Sequence, residues 1–487
     1  DEAGRYFILI SATNAGGTTE KEIRIDVFQL DVPTISIADA DKGFKVLQGS
    51  ELTITPIVDS FLETSYSWQI NGEDISNELT CTLPTIELGE YQVRFATHNE
   101  DGDDEVTFKV EVCSPDQVDF NWTFLQTEYN MSAGRTIRIK PVDVNNALDA
   151  VYTWTVDNEQ VQSGENDTYL FTSEQQGEHT VKVEMRNSYI LATQTLKINV
   201  CPPAGTYQRK ISATSSASMN KVYEYLPAPG QFINENHTTT TMAEACTYAE
   251  ERINQTAYVS LGGFGGYIIV GFDHSIVNDG DYNIAITGNA FDGSSEPGIV
   301  WVMQDENGDG LPNDTWYELR GSEYGKAETW QDYAVTYHKP TGIQLPTPWT
   351  DNHGQSGSID YLGAFHRQDY YYPAWVKEKQ YTLRGTRLKE RNYDQSGNGT
   401  YWVNDSYEWG YADNFSAIDR LTDDDNYNAG PSDNHFKISH AVTFDGKDAN
   451  LKYVDFIKVQ VGVNSKSGWL GEISTEVFGI KDFNMIK

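Results

Sequence analysis

One signature recurs three times along the chain, as Gly4-Arg-Tyr-Phe-Ile-Leu-Ile-Ser-Ala-Thr-Asn14, Gly89-Glu-Tyr-Gln-Val-Arg-Phe-Ala-Thr-His-Asn99 and Gly177-Glu-His-Thr-Val-Lys-Val-Glu-Met-Arg-Asn187. The period of about 85 to 90 residues is that of one small domain per copy. Apolar side chains alternate within each copy, as in a strand with one buried face. A turn and a second alternating run follow, reaching Ile25 and Val27, Val110 and Val112, and Ile198 and Val200. Two strands joined by a turn are not stable alone, so each complete copy is expected to form a β-sandwich.

Upstream of the second and third copies stand Tyr66-Ser-Trp68 and Tyr152-Thr-Trp154, each followed by a turn. Alternation puts the tyrosine and tryptophan on one face, where the indole serves as a core anchor. The first copy lacks this half. Residues 1–29 therefore read as the closing strands of a domain that starts upstream, and the chain as a piece of something longer. The expected organisation is that strand pair, sandwiches over 30–113 and 114–201, and one large domain over 202–487.

Charge narrows the partners. With 35 Lys+Arg against 72 Asp+Glu the formal charge is −37, and no basic cluster interrupts it, which argues against nucleic acid and anionic lipid. Aromatic residues make up 12% of the chain, too many for a disordered segment. No stretch approaches the ~20 apolar residues of a membrane span. The four cysteines, Cys81, Cys113, Cys201 and Cys246, show neither CxxC pairing nor histidines at zinc spacing, and disulfide pairing cannot be read from their positions.

After Cys201-Pro-Pro the repeat stops, and most of the tryptophan follows, from Trp301 to Trp469. Short apolar or alternating runs such as 267–272, 282–288, 298–303 and 456–461 are bounded by Gly, Asn and Asp. They predict an all-β, jelly-roll-like sandwich. One helix is expected at Met242-Ala-Glu-Ala-Cys-Thr-Tyr-Ala-Glu-Glu-Arg-Ile253, behind a threonine run suited to N-capping. The glycine run at 262–266 has no following helix or Lys-Ser/Thr, so it reads as a hairpin or bulge rather than a phosphate loop.

The sharpest chemical motif is Asp305-Glu-Asn307-Gly-Asp309-Gly-Leu-Pro-Asn313-Asp314. Oxygen side chains at positions one, three and five followed by glycine match the first half of a calcium loop, with Asn313, Asp314 or Glu318 as closing ligands in place of the usual Glu, since position twelve is Trp316. Such an ion would be structural. The competing reading is an acidic hairpin tip using Asp and Asn for turn chemistry.

An aromatic stretch follows: Tyr370, Tyr371, Tyr372 and Trp375, then Trp402, Tyr407, Trp409 and Tyr411, with Arg367 among them. In polar, glycine-rich surroundings these residues predict a surface for a planar or sugar-like ligand, although each ring taken singly suits the core as well. Glu472 and Glu476 fall on one strand face and raise a glycoside-hydrolase alternative, against a structural role for both. No HExxH or Gly-x-Ser-x-Gly motif occurs, and no organic cofactor is expected.

The aromatic-x-Trp strands and closing strand pairs of residues 1–201 resemble PKD-like and related immunoglobulin-like modules of bacterial surface proteins, which commonly act as spacers. Residues 202–487, through 265–278, 295–310, 316–324 and 454–476, resemble the C-terminal domain of PKD-containing cell-surface lipoproteins of Gram-negative gut anaerobes. That resemblance implies anchoring to the outer membrane through a lipidated cysteine upstream of this chain, and an accessory role beside an outer-membrane uptake system. It also implies a non-catalytic protein that captures cobalamin or a related corrinoid. Glycan binding or adhesion is the alternative.

Overall fold

The computed structural model describes the chain except for residues 1–3, 28–29, 39, 61, 115–121, 146, 148, 188–190, 238 and 422–430. Strands take up 46% of the chain and helix 5%, so the class is all-β. The chain divides into two units, Asp1–Val118 and Asp119–Lys487.

In the first unit, strands Gly4–Asn14 and Gly17–Val27 form an antiparallel hairpin with Gly4 opposite Val27 and Asn14 opposite Gly17. Phe7, Leu9 and Ile10 on it stay exposed. The sandwich that follows has a five-stranded sheet in the order Phe44–Leu47, Gly102–Cys113, Gly89–Asn99, Ser65–Ile70, Glu73–Ser76. The first of these strands runs parallel to the last in sequence, Val110 lying opposite Phe44. Trp68 is fully buried, against Phe95 at 4.5 Å between ring centroids. Its indole N–H donates to the carbonyl of Glu78 at 2.9 Å, so the polar edge of the ring is satisfied.

The recurrent asparagine is a turn device. Buried Asn99 accepts the backbone N–H groups of Asp101 and Gly102 and donates to the Asp31 carbonyl. Asn14 accepts the N–H of Gly16 in the same way. These are Asx turns, which explains why the repeat closes on that residue type.

The second unit begins with a sandwich of the same pattern. Its sheet runs Glu128–Ser132, Leu191–Cys201, Gly177–Arg186, Val151–Val156, Glu159–Gly164, again with first and last strands parallel. Trp154, Val181, Val183, Met185 and Ile198 fill its core. Beyond it, a six-stranded sheet in the order Lys221–Leu226, Tyr267–Val277, Tyr453–Val461, Gly298–Met303, Trp316–Leu319, Ala441–Val442 packs against two smaller sheets. Those sheets contribute Tyr333, Val335, Tyr337 and Leu383, and Ile284, Ile286 and Ile480, to one core with Ile268, Val270, Ile457 and Val459.

The helix is Met242–Asn254, presenting Ala245, Ala249 and Ile253 inward at i, i+4 and i+8. Thr241 caps it, its hydroxyl accepting the Glu244 N–H at 3.2 Å, while the Glu244 carboxylate accepts the Thr240 N–H at 2.7 Å. Thr241→Ala is expected to cost about 1 kcal/mol, read as a lower denaturant midpoint. The glycine run forms a tight turn ahead of strand Tyr267–Val277. Gly262 has φ +71°, and a Cβ there would stand 2.1 Å from the Ala228 carbonyl oxygen. All four cysteines are free thiols, three of them buried.

Candidate ligand-binding cleft

The acidic loop after strand Gly298–Met303 sets the geometry of the second unit. The Asp305 carboxylate accepts the N–H groups of Gly308 at 2.7 Å and Gly310 at 3.0 Å. Asn307 accepts the Asp309 N–H, and Asp309 accepts the Leu311 N–H and the side-chain amides of Asn307 and Asn313. Asp314 accepts the Glu306 N–H at 3.0 Å. Apart from Asp314 Oδ1, which is buried without a hydrogen-bond partner, these carboxylate and amide oxygens are turned onto the loop's own donors, as in a chain of Asx turns.

The loop is also a joint. Glu306 reaches the second sandwich and accepts the Ser132 N–H at 3.1 Å. Asn130 donates to the Asn313 carbonyl at 3.3 Å. Arg135 crosses the junction, donating to the Ala449 carbonyl at 3.0 Å and to Gln304 at 3.3 Å, with its guanidinium 5.3 Å from the centre of the Tyr317 ring. Its Nε lies 3.3 Å from Glu306 Oε1, close enough for an ion pair but not aligned for a hydrogen bond, since both atoms lack a hydrogen-bond partner. Farther along, Asp332 takes Arg138 at 3.0 Å and Lys140 at 2.7 Å, and Arg384 pairs with Asp143. The sandwich of residues 122–201 is therefore fastened to the large domain by a row of polar contacts.

Between them lies a cleft of about 630 Å³, within the usual range for small-molecule sites. Tyr129, Ile137 and Val142 of the sandwich face Trp301, Trp316, Tyr317 and Phe444 of the large domain. Arg138, Lys140, Arg384 and Lys458 also line it, against Asp143, Asp314, Glu318 and Asp332. The acids do not balance the cations at neutral pH. Burial raises Asp314 to about 8 and Glu318 to about 7, so Asp314 is mostly protonated there and Glu318 is about half protonated. A chain with charge −37 thus contains a cleft of positive character.

Lys458 stands at its floor, in a strand otherwise made of buried residues. Its ammonium lies 5.1 Å from the centre of the Tyr267 ring and 5.3 Å from that of Trp301. Among the described residues it has no ion-pair partner, and burial lowers it to about 8, with Glu224 and Glu318 pulling the other way. It remains mostly charged at pH 7, a cation solvated by aromatic faces. Neighbouring Trp301 Nε1 is buried without a partner.

The predicted aromatic surface is distributed differently. Tyr371 and Tyr372 are 1% exposed, and Trp375, Tyr407 and Tyr411 are buried as well. They fill two separate cores, so five of the eight rings pack the interior and present no face to a ligand. The four tyrosine hydroxyls among them find backbone partners: Tyr371 donates to the His366 carbonyl, Tyr372 to that of Glu378 and Tyr407 to that of Lys389, while Tyr411 accepts the Glu323 N–H. Half-buried Tyr370 lies under Lys339. Half-buried Trp402 packs edge-on against Gly468. Trp409 lines a smaller depression of about 250 Å³ with His440, and Arg367 is exposed, donating to the Gly363 carbonyl. None of these residues lines the cleft. Glu472 and Glu476 are each 4% exposed, and they too lie away from it.

Sequence reasoning singled out Arg384, as one of several arginines able to reach a ligand phosphate or carboxylate, but missed Lys458, Arg138 and Lys140. The signal for Lys458 was a lysine inside a mostly apolar strand. The other two gave none, because their neighbours come from distant parts of the chain.

Comparison with known proteins bears on the repeats. A PKD-like domain family matches residues 32–99 and 124–187. No curated protein matches the chain. Among solved structures, fibronectin(III)-like modules of Clostridium thermocellum CbhA are 16% identical, covering 37% of this chain and 100% of theirs at a TM-score of 0.19. A chimeric titin Z1Z2 is 19% identical, covering 36% and 98% at a TM-score of 0.22. Three N-terminal domains of the bacteriophage RB49 Hoc capsid protein are 14% identical, covering 41% and 78% at a TM-score of 0.19. The chain thus carries PKD-like domains of immunoglobulin-like type at residues 32–99 and 124–187.

Proposed function

We propose that the protein is a non-catalytic binding protein that takes a small, anion-bearing ligand with a flat apolar face into the cleft between the second sandwich and the large domain. The observation that carries this reading is Lys458, a cation held between Tyr267 and Trp301 with no ion-pair partner among the described residues. An acid of the ligand supplies the missing counter-charge, and the indoles supply stacking surface.

A corrinoid meets both requirements, having a flat macrocycle and a phosphate, and the family resemblance of residues 202–487 points the same way. A cleft of about 630 Å³ accepts part of such a ligand and leaves the rest for another partner. This suits an accessory that hands its cargo to an outer-membrane transporter at the cell surface. Glycan binding is a second reading, favoured by a different observation. Phe365 and Trp469 are 64% and 50% exposed, with ring centroids 6.2 Å apart, an outward pair suited to sugar rings.

Titration calorimetry of the whole chain against cyanocobalamin and a glycan panel separates the two readings. Lys458→Met and Trp301→Ala are each expected to weaken cyanocobalamin binding about 10- to 100-fold, while Trp469→Ala leaves it unchanged. Undiminished binding by both cleft variants sinks the cleft reading. Binding confined to glycans and lost in Trp469→Ala supports the second.

A further inference from the structure

Away from the cleft, three carboxylates from distant parts of the chain converge. Glu296 lies before strand Gly298–Met303, Asp413 in the segment that follows Trp409, and Glu476 in the short strand Glu476–Val477. One oxygen from each lies within 4.8 Å of the others, and no other set of three or more His, Cys, Asp and Glu does so among the described residues. An ion with ligands at about 2.3 to 2.6 Å can touch oxygens up to roughly twice that distance apart, so a single ion reaches all three.

The second observation is an unsatisfied atom. Glu476 is 4% exposed, and its Oε1 is buried with no hydrogen-bond donor. Natural structures seldom leave such an oxygen without a partner. Asp413 differs, its Oδ1 accepting the N–H groups of Asn289 at 2.7 Å and Ala290 at 2.9 Å, and its Oδ2 that of Glu476 at 2.9 Å. Glu296 accepts the Ser474 N–H at a long 3.4 Å and otherwise lies against the Glu476 carboxyl. Donors thus hold Asp413 in place and leave the two glutamates facing each other.

Three carboxylates without a cation are costly in a buried site. Burial, then the neighbouring acids, drives the protonation of Glu476 upward. Two outcomes relieve the charge: the glutamates share a proton, or a cation sits among them.

We infer that Glu296, Asp413 and Glu476 form a binding site for one hard divalent cation of the calcium class, distinct from the 305–314 loop. The donor set is oxygen only, which excludes soft metals, and its charge of three matches a calcium site. The partly exposed Glu296 gives the ion a way in. An ion there ties the segment at Asp413 and the strand at Glu476 to the start of strand Gly298–Met303, locking two loops of the large domain.

The test uses the whole chain, stripped with EDTA and titrated with calcium by calorimetry, with metal content measured by mass spectrometry. The wild type is expected to bind one equivalent here and to melt higher with calcium. Glu476→Gln and Glu296→Gln should each lower that affinity at least 10-fold and remove the calcium-dependent rise in Tm. Glu296→Gln changes the partly exposed member, so it reports even if Glu476→Gln misfolds. Asp309→Asn, in the other loop, should leave this equivalent in place. The proposal is overturned if the stripped wild type takes up no calcium, or if both Gln variants titrate like wild type. It also fails if calcium leaves the wild-type Tm unchanged while Glu476→Gln raises it at pH 8, the mark of a shared proton.

Discussion

Arg135→Ala is expected to release the second sandwich from the large domain, with a loss of about 3 kcal/mol at the junction. The side chain holds the Ala449 carbonyl, Gln304 and the face of Tyr317, and it supplies the positive charge beside Glu306. Truncation leaves the buried Glu306 carboxylate without its counter-charge, and burial already pushes that group above its usual range. Removing one partner of a buried pair costs more than the pair contributes, because the survivor stays desolvated. Calorimetry should show the sandwich melting as a separate, lower transition, and limited proteolysis should cut between residues 201 and 220. Glu306→Gln in the same chain should restore part of the loss. A single transition at the wild-type temperature would show that the junction does not depend on this pair. Cleft binding should fall with undocking, since half its wall is carried by the sandwich.

Glu472→Gln should stabilise the protein, and more so as the pH rises. Glu472 is buried, one oxygen accepting the Gln231 N–H at 2.7 Å and the other having no partner. Burial raises it from 4.5 to about 8. The sign follows from proton counts. Between those two values the folded state holds a proton that the unfolded state has released, so stability falls as pH climbs from about 4.5 to about 8, then levels. At about 1.36 kcal/mol per unit the full loss is at most a few kcal/mol. Glutamine keeps the acceptor for Gln231 and never ionises, so the variant should gain on wild type through that window. Urea midpoints at pH 5 and pH 8 measure the difference. A variant less stable than wild type at pH 8 would contradict the assignment.

The repeats were legible because alternation and turn chemistry are local. Trp68 and Trp154 declared themselves by position in an alternating run, and the closing asparagine did so through the turn that follows it. The helix at 242–254 was equally readable, since a threonine cap and an i, i+4, i+8 apolar face occupy consecutive residues. The aromatic stretch misled for a physical reason. Tyr371, Tyr372 and Trp375 lie in polar sequence yet are covered by segments 225–237 and 361–366, and no local pattern records that cover. The cleft was invisible for a related reason. Its walls come from residues 125–144, 301–332, 352, 384–385 and 442–458, brought together by the joint at Glu306 and Arg135 and by the ion pairs of Asp332 and Asp143. The carboxylate triad draws on positions 296, 413 and 476. By alternation Glu472 and Glu476 read as one strand face, but the strand there is only Glu476–Val477, and no local pattern ties Glu476 to acids far along the chain.

The strand pairings of the first unit imply a mechanical order. In the sandwich beginning near residue 30, the first strand of the large sheet lies parallel to the last, Phe44 opposite Val110 and Leu47 opposite Cys113. Tension applied to that domain's two ends slides these strands past each other, so their bonds share the load and must give way together. The Gly4–Asn14 and Gly17–Val27 hairpin is built the other way, with its open ends side by side at Gly4 and Val27. The same tension peels it apart one pair at a time. Pulled at its own two ends, the hairpin pairing should therefore open at lower force than the sandwich pulled at its own.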